Sequence, residues 1–367
     1  MQFLKFPFIF ALIVFFTLSS CGTEEDLEPD TLTVQLQPAQ AVVGQPLTFS
    51  SNSYYAGNIT QNSTFYVNGT QIQGNTYTPT AAGDHTVYAS WQGLSSASLT
   101  FHVEPAEEIP ATFTKKVMVE DYTGTWCGWC PGMTKMLEIL TTHSDRVVPV
   151  AIHCDNDPYR FEFQDQLQAA YNTTGLPKAR INRIHPLNFY MVAGVIPDRC
   201  AVETEQYTNL IDTYLNQPAP AGLAIESSIS GNNLNFTVQV GFAVNQLENA
   251  KLVVYLLEDG LRYNQVNYFS GSQPYVNNCY YYSQPNPIPN YEHNYTLRRA
   301  YTDIFGDEIP ATSISQGNVY SRSFNVQVPA EVENNQNLRL VAFVMGTNAN
   351  EVVNVQQVTV GQSQAFD

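Results

Sequence analysis

Two thiols three positions apart, Cys127 and Cys130, lie in Thr-Gly-Thr-Trp-Cys-Gly-Trp-Cys-Pro at 123–131, with Trp126 before them and Trp129 between them. A dithiol at this spacing suits disulfide exchange, in which one thiolate attacks and the second closes the ring. The same pair also suits half of a zinc site or a plain structural bridge. Zinc sites usually draw on four Cys or His ligands, and no second CxxC or His pair at ligand spacing occurs. No metal is expected, and redox exchange leads the alternatives.

The flanking residues predict the elements that position these thiols. Val117–Tyr122 is rich in β-branched and apolar residues, as a buried strand is, and Met133, Met136, Leu137 and Leu140 recur at helical spacing. Strand, loop, CxxC and helix in that order put Cys127 where a helix begins. The free N–H groups and positive dipole end there favour a thiolate. Val147–Cys154 is a continuous apolar run, the mark of a central parallel strand, although Pro149 within it removes a ladder donor. Helices are predicted over about 160–171, with Phe163, Leu167, Ala170 and Tyr171 inward, and over 203–215. A strand is predicted at 178–183. His153 and Cys154 end the central strand and would border the site.

Trp126-Cys127-Gly128-x-Cys130 and Gly175-Leu176-Pro177 resemble the thioredoxin superfamily. The resemblance implies a thioredoxin-like domain over 115–217 in which Cys127 attacks and Cys130 resolves the mixed disulfide. It implies a cis bond before Pro177, beside the CxxC. The backbone at Leu176 would take an extended substrate segment as an added strand. Trp126, Trp129 and Leu176 are the candidate substrate-binding residues. Thioredoxins carry an aspartate six positions before the first cysteine, here Asp121. Strand alternation places it with Val117 and Val119, poorly solvated and suited to acid–base work. Glu120 would take that role were the strand offset by one. The Gly128-Trp129 pair departs from thioredoxin's Gly-Pro and leaves the potential and the direction of electron flow open. No organic cofactor is implied.

The chain has 367 residues, a formal net charge of −17 and only 13% charged residues. The acidic balance argues against nucleic acid, and the polar, charge-poor profile suits an exported protein. Residues 1–20 read as a signal peptide, with Lys5, an apolar run and then small residues. Leu18-Ser19-Ser20-Cys21 resembles a bacterial lipobox, which implies lipidation of Cys21. No later apolar run is long enough to span a bilayer. Residues 21–30 form an acidic linker. Residues 31–104 alternate in short runs broken by turn signals and look like an immunoglobulin-like β-sandwich serving as a spacer. Residues 105–114 form a second linker, and 218–367 read as a C-terminal β-sandwich. A tyrosine-rich insert at 262–315 carries nine tyrosines, either as a contact patch or as loops pinned by buried rings. Cys154, Cys200 and Cys279 remain, an odd number whose pairing is open.

The fold class expected is therefore multidomain α/β plus all-β, a thioredoxin-like core flanked by two β-sandwiches. The leader, the redox motif and His293-Asn294-Tyr295-Thr296-Leu297-Arg298 are similar to a Gram-negative family of outer-membrane lipoproteins named for a twenty-eight-kilodalton member. That family implies anchoring in the cell outer membrane through Cys21, facing the periplasm or the surface. The expected function is an envelope thiol–disulfide oxidoreductase acting on protein or peptide disulfides. The alternative is a non-catalytic surface lipoprotein, an adhesin, receptor or assembly module. Nothing in the sequence sets an oligomeric state.

Overall fold

A computed structural model describes residues 30–38, 41–105, 109–187, 199–271, 281, 283–346 and 351–367, the side chains of 199–204 excepted. The leader, Cys21 and Cys279 lie outside the described residues, as do the side chain of Cys200 and most of the stretch before the last predicted helix. The chain is mostly β-sheet and divides into two compact units. No helix among the described residues is long and apolar enough to cross a membrane.

The first unit gathers strands from two sheets, including Leu32–Gln37 and Leu47–Ser53 in one and Thr64–Val67 and Gly83–Trp91 in the other. Alternation buries Leu47, Phe49, Phe65, Val67, Val87 and Ala89. The rings of Phe49 and Phe65 stack at 6.0 Å. His85 is buried against the side chains of Asn68 and Tyr77, while His102 pairs with the exposed Asp84.

The second unit holds Val103–Asp367 together with Ala41–Pro46 and Thr78–Gly83. Numbering its elements from the strand that feeds the CxxC, β1 (Val117–Thr123) leads to α1 (Cys130–His143), β2 (Val147–His153) and α2 (Gln164–Tyr171). Next come β3 (Lys178–Ile181), β4 (His185–Leu187) and α3 (Arg199–Leu215). Beyond these lie β5 (Ala221–Ser230), β6 (Asn233–Phe242), β7 (Lys251–Glu258), β8 (Leu261–Gln265), β9 (Ile288–His293) and β10 (Thr296–Ala300). The last are β11 (Asp307–Glu308), β12 (Val319–Gln327), β13 (Leu338–Gly346), β14 (Glu351–Thr359) and β15 (Ser363–Gln364).

One nine-stranded sheet runs β4-β3-β1-β2-β10-β7-β13-β14, with β11 on β7. β1 is parallel to β2 and antiparallel to β3. Every residue of β1 is buried, because helices or other cover lie on both faces. Val117 and Val119 pack with Met133, Met136, Leu137 and Leu140 of α1 and with Tyr207, Ile211 and Leu215 of α3. Met118 and Tyr122, on the opposite face, join Leu167 and Tyr171 of α2. α2 begins at Gln164, four residues later than the apolar stripe suggested. Its N-terminal neighbours Phe161 and Phe163 contact each other edge-on at 5.7 Å before the helix starts.

The sheet does not stop where a separate C-terminal sandwich was expected to begin at 218. Thr296 of β10 pairs in parallel with Ala151 of β2, and β10 then pairs with β7. Pro149 lies before that junction, so its missing N–H does not face β10 pairing. A four-stranded sheet, β12-β6-β5-β15, packs across β7 and β13 through Leu223, Ile225, Phe236, Val238, Val254 and Leu340. β10 falls inside the stretch read as an insert. It escapes an apolar pattern because its buried residues include Thr296 and Arg298, the latter paired with buried Glu258 at 3.1 Å.

Candidate functional site

Cys127 and Cys130 are joined by a disulfide at the start of α1. The loop after β1 makes a turn, with the Cys127 N–H donating to Gly124 O and the Cys130 N–H to Cys127 O. Cys130 opens the helix, and Pro131 follows where an absent N–H costs least. Both cysteines are nonetheless buried, at 5% and 1% exposure.

The end of β2 fixes the loop from beneath. Asp157 accepts from the Thr125 N–H at 2.5 Å, from the Tyr159 N–H at 2.9 Å and from His153 Nδ1 at 2.9 Å. Burial alone would raise its pKa, but the His153 contact and these N–H donors outweigh it and hold Asp157 below the usual carboxylate range. Cys154 is a buried free thiol whose backbone O accepts from Trp126 Nε1 at 3.3 Å. Burial pushes its thiol well up, away from reactivity. His153 and Cys154 thus border the loop by holding it in place.

The two candidate acids of β1 have opposite surroundings. Glu120 forms an ion pair with Arg183 at 3.1 Å, both fully buried. Arg183 also donates to Ile304 O at 2.7 Å and to the Tyr255 hydroxyl. Asp121 has no such partner, and its Oδ1 is buried without a hydrogen bond. Burial raises its carboxyl to about 8. Asp121 lines a cleft of about 550 Å³ between α1, the carboxyl ends of β1 and β2, and the β8–β9 hairpin. His293, in the same cleft, carries a second buried unpartnered atom, Nε2. Burial first, and then the neighbouring His153, lowers its pKa to about 3, so the imidazole is neutral.

The Leu176–Pro177 bond is cis, and both residues are half-buried. Trp126 is 43% exposed. Trp129 lies edge-on to Tyr268 and Phe269 at 5.4 and 5.2 Å. Those two rings come from the residues that follow β8, whose last residue is Gln265, and sequence patterns do not mark them as part of the site. The Val266 N–H donates to Thr125 O at 2.8 Å, the Tyr268 N–H to Gly128 O at 2.9 Å, and Gln265 Nε2 to Cys127 O at 2.9 Å. The concentration of tyrosines in the insert was the one available signal. Among the described residues no group of three or more His, Cys, Asp or Glu side chains is arranged to hold a metal.

The model of a family described as outer membrane protein Omp28 matches residues 164–364, more than half of the chain. The matched segment begins beyond both cysteines of the CxxC. No curated protein matches. Among solved structures, HBP35 of Porphyromonas gingivalis is similar with a TM-score of 0.50 at 19% identity, over 68% of this chain and 76% of that chain. At that identity the likeness speaks to the fold alone. A domain of the outer membrane lipoprotein Omp28 from Porphyromonas gingivalis aligns at 20% identity over 39% of this chain and 89% of that chain, with a TM-score of 0.25.

Proposed function

This chain belongs to the Omp28 outer membrane protein family, a lipoprotein family of the cell outer membrane, and on that premise we propose that it is a non-catalytic surface module. Its scaffold is thioredoxin-like over 115–217, an immunoglobulin-like spacer precedes that scaffold, and Cys21 carries the lipid. The observation that supports this is the burial of both sulfur-bearing residues, 5% and 1% exposed, within a closed disulfide. We take a bridge so little exposed to be a structural element. The thioredoxin-like assignment is supported by the order β4-β3-β1-β2, with α1 and α3 on one face and α2 on the other. A binding role draws further support from the cleft whose floor leaves Asp121 Oδ1 and His293 Nε2 unsatisfied, since buried polar atoms ordinarily find partners.

The test is a redox titration of the full chain carrying Cys21→Ser, with disulfide turnover measured alongside. A reduction potential below about −300 mV, the range of structural bridges, and no turnover of a protein disulfide are the expected results. Catalytic turnover would overturn the proposal in favour of envelope thiol–disulfide exchange by Cys127 and Cys130. Asp121 is the observation that favours that second reading, being a buried, uncharged carboxyl six positions before Cys127. In that case Asp121 would take the proton of Cys130, and Leu176, Trp126 and Trp129 would meet a peptide disulfide. Cys21→Ser should also shift the protein out of the outer-membrane fraction, and retention there would remove Cys21 as the anchor.

A further inference from the structure

We infer that residues 265–269, leaving the end of β8, form a clamp on the CxxC loop that holds back exchange of the Cys127–Cys130 disulfide with thiols. The inference rests on the closed-bridge proposal above and names what keeps the bridge closed.

Four hydrogen bonds tie this segment to the backbone of the CxxC loop, at Gly124 O, Thr125 O, Cys127 O and Gly128 O. The Tyr268 ring rests directly on Gly128. A Cβ added at Gly128 would lie 2.3 Å from the ring, closer than any side chain tolerates, so glycine is required there by the approach of the ring. Trp129 is gripped edge-on by Tyr268 and Phe269. On its other side the segment is fixed by Asn267, whose amide donates to Tyr281 O, Gln284 O and Pro285 O.

The way these contacts are built points to a removable clamp. Phe269, Tyr281 and Ile288 make a small cluster of their own, with Trp129 and Tyr291 against it, separate from the three larger cores of the second unit. Elements with few buried apolar contacts open locally at far less cost than the fold as a whole. Tyr268 is itself 49% exposed. The segment therefore has the means to lift without disturbing the nine-stranded sheet, and lifting it frees the loop that carries the disulfide. Exchange then follows the ordinary course. A thiolate attacks Cys127 Sγ, the S–S bond breaks, and Cys130 Sγ leaves as a thiolate and takes a proton. With dithiothreitol the reagent's second thiol closes its own ring, so the reagent is oxidised to its cyclic disulfide as the protein gains two electrons and two protons.

The experiment measures the rate of reduction of the full chain, purified in detergent, by dithiothreitol, with Cys127 and Cys130 followed by alkylation and mass spectrometry. Tyr268→Ala removes the ring, and Gly128→Ala pushes it away from the opposite side. Each should be reduced at least about tenfold faster than wild type, the effect of losing about one net hydrogen bond or ring contact. Tyr263→Ala, on the same hairpin with its ring edge-on to Tyr159 at 6.2 Å, should leave the rate unchanged. Variant rates within about twofold of wild type, in proteins that still melt cooperatively, overturn the inference. If one variant does not fold, the other decides. If neither folds, wild type decides against an unfolded peptide spanning Thr123–Pro131. A wild-type rate at least about a hundredfold below the peptide's supports the clamp, and one within about threefold of it overturns it. Protein-disulfide turnover by wild type would instead sink the closed-bridge proposal, a result separate from any ratio of these rates.

Discussion

Glu120 and Asp121 are neighbours on one strand, and the pleat sends them to opposite faces with opposite consequences. Glu120 meets Arg183 in a fully buried ion pair. Removing one partner of such a pair leaves the other charge uncompensated, so Glu120→Gln should destabilise the second unit by about 3–5 kcal/mol, read as a lower midpoint in urea. Asp121 meets no cation and is held neutral by burial, with its carboxyl raised from 3.8 to about 8. Between those values the folded chain keeps a proton that the unfolded chain has released. Stability from this residue is full below 3.8 and is lost as pH rises towards 8, at up to about 1.4 kcal/mol per pH unit. Asp121→Asn carries no such proton. Urea denaturation of both proteins from pH 5 to 8 should show the variant gaining on wild type as pH rises, and parallel curves would mean that Asp121 is solvated. The difference between the two cancels His293, whose lowered pKa makes stability fall in both proteins as pH drops below 6.5.

At the scale of elements, the strands and helices that frame the disulfide are legible wherever burial is achieved with apolar side chains. β1, β2 and α1 follow their patterns closely, and CxxC spacing marks the bridge. Two elements were not legible for physical reasons. β10 is central to the sheet but carries Thr296, Arg298 and Arg299, because its burial is satisfied by the Arg298–Glu258 pair rather than by hydrocarbon. The segment at 265–269 acts through backbone N–H groups, the Gln265 amide and two adjacent rings, which leave no periodicity to read. Its hold on the hairpin depends on Asn267, 1% exposed and donating to three carbonyls. Asn267→Ala orphans those acceptors, at about 1–3 kcal/mol. Hydrogen exchange of the Val266 and Tyr268 amides should quicken by about tenfold or more, while amides of β1 and β13 stay at wild-type protection. Uniform acceleration throughout would show that the hairpin opens only with the whole unit.

At the scale of the whole molecule, the sheet that joins the CxxC region to the C-terminal strands sets how the chain can be divided. The core on the α2 face is made from both sides of residue 218. Met118, Tyr122, Val148, Val150, Ile152, Phe161 and Leu167 come from one side, and Val253, Tyr255, Leu257, Leu297, Val341 and Phe343 from the other. Arg183 has Glu120 and Tyr171 on the first side and Ile304 and Tyr255 on the second. Excising residues 115–217 would expose about half of that core at about 1.5–3 kcal/mol per side chain. It would also strip β2 of β10 and leave a buried guanidinium short of partners. The sum exceeds the 5–15 kcal/mol by which domains of this size are stable. The fragment 115–217 should therefore show no cooperative thermal transition and should bind a hydrophobic dye, whereas 109–367 should melt in a single step. A cooperative melt of 115–217 with native-like near-ultraviolet circular dichroism would mean that the β2–β10 junction contributes little. The boundary at 218 would then be a true domain border.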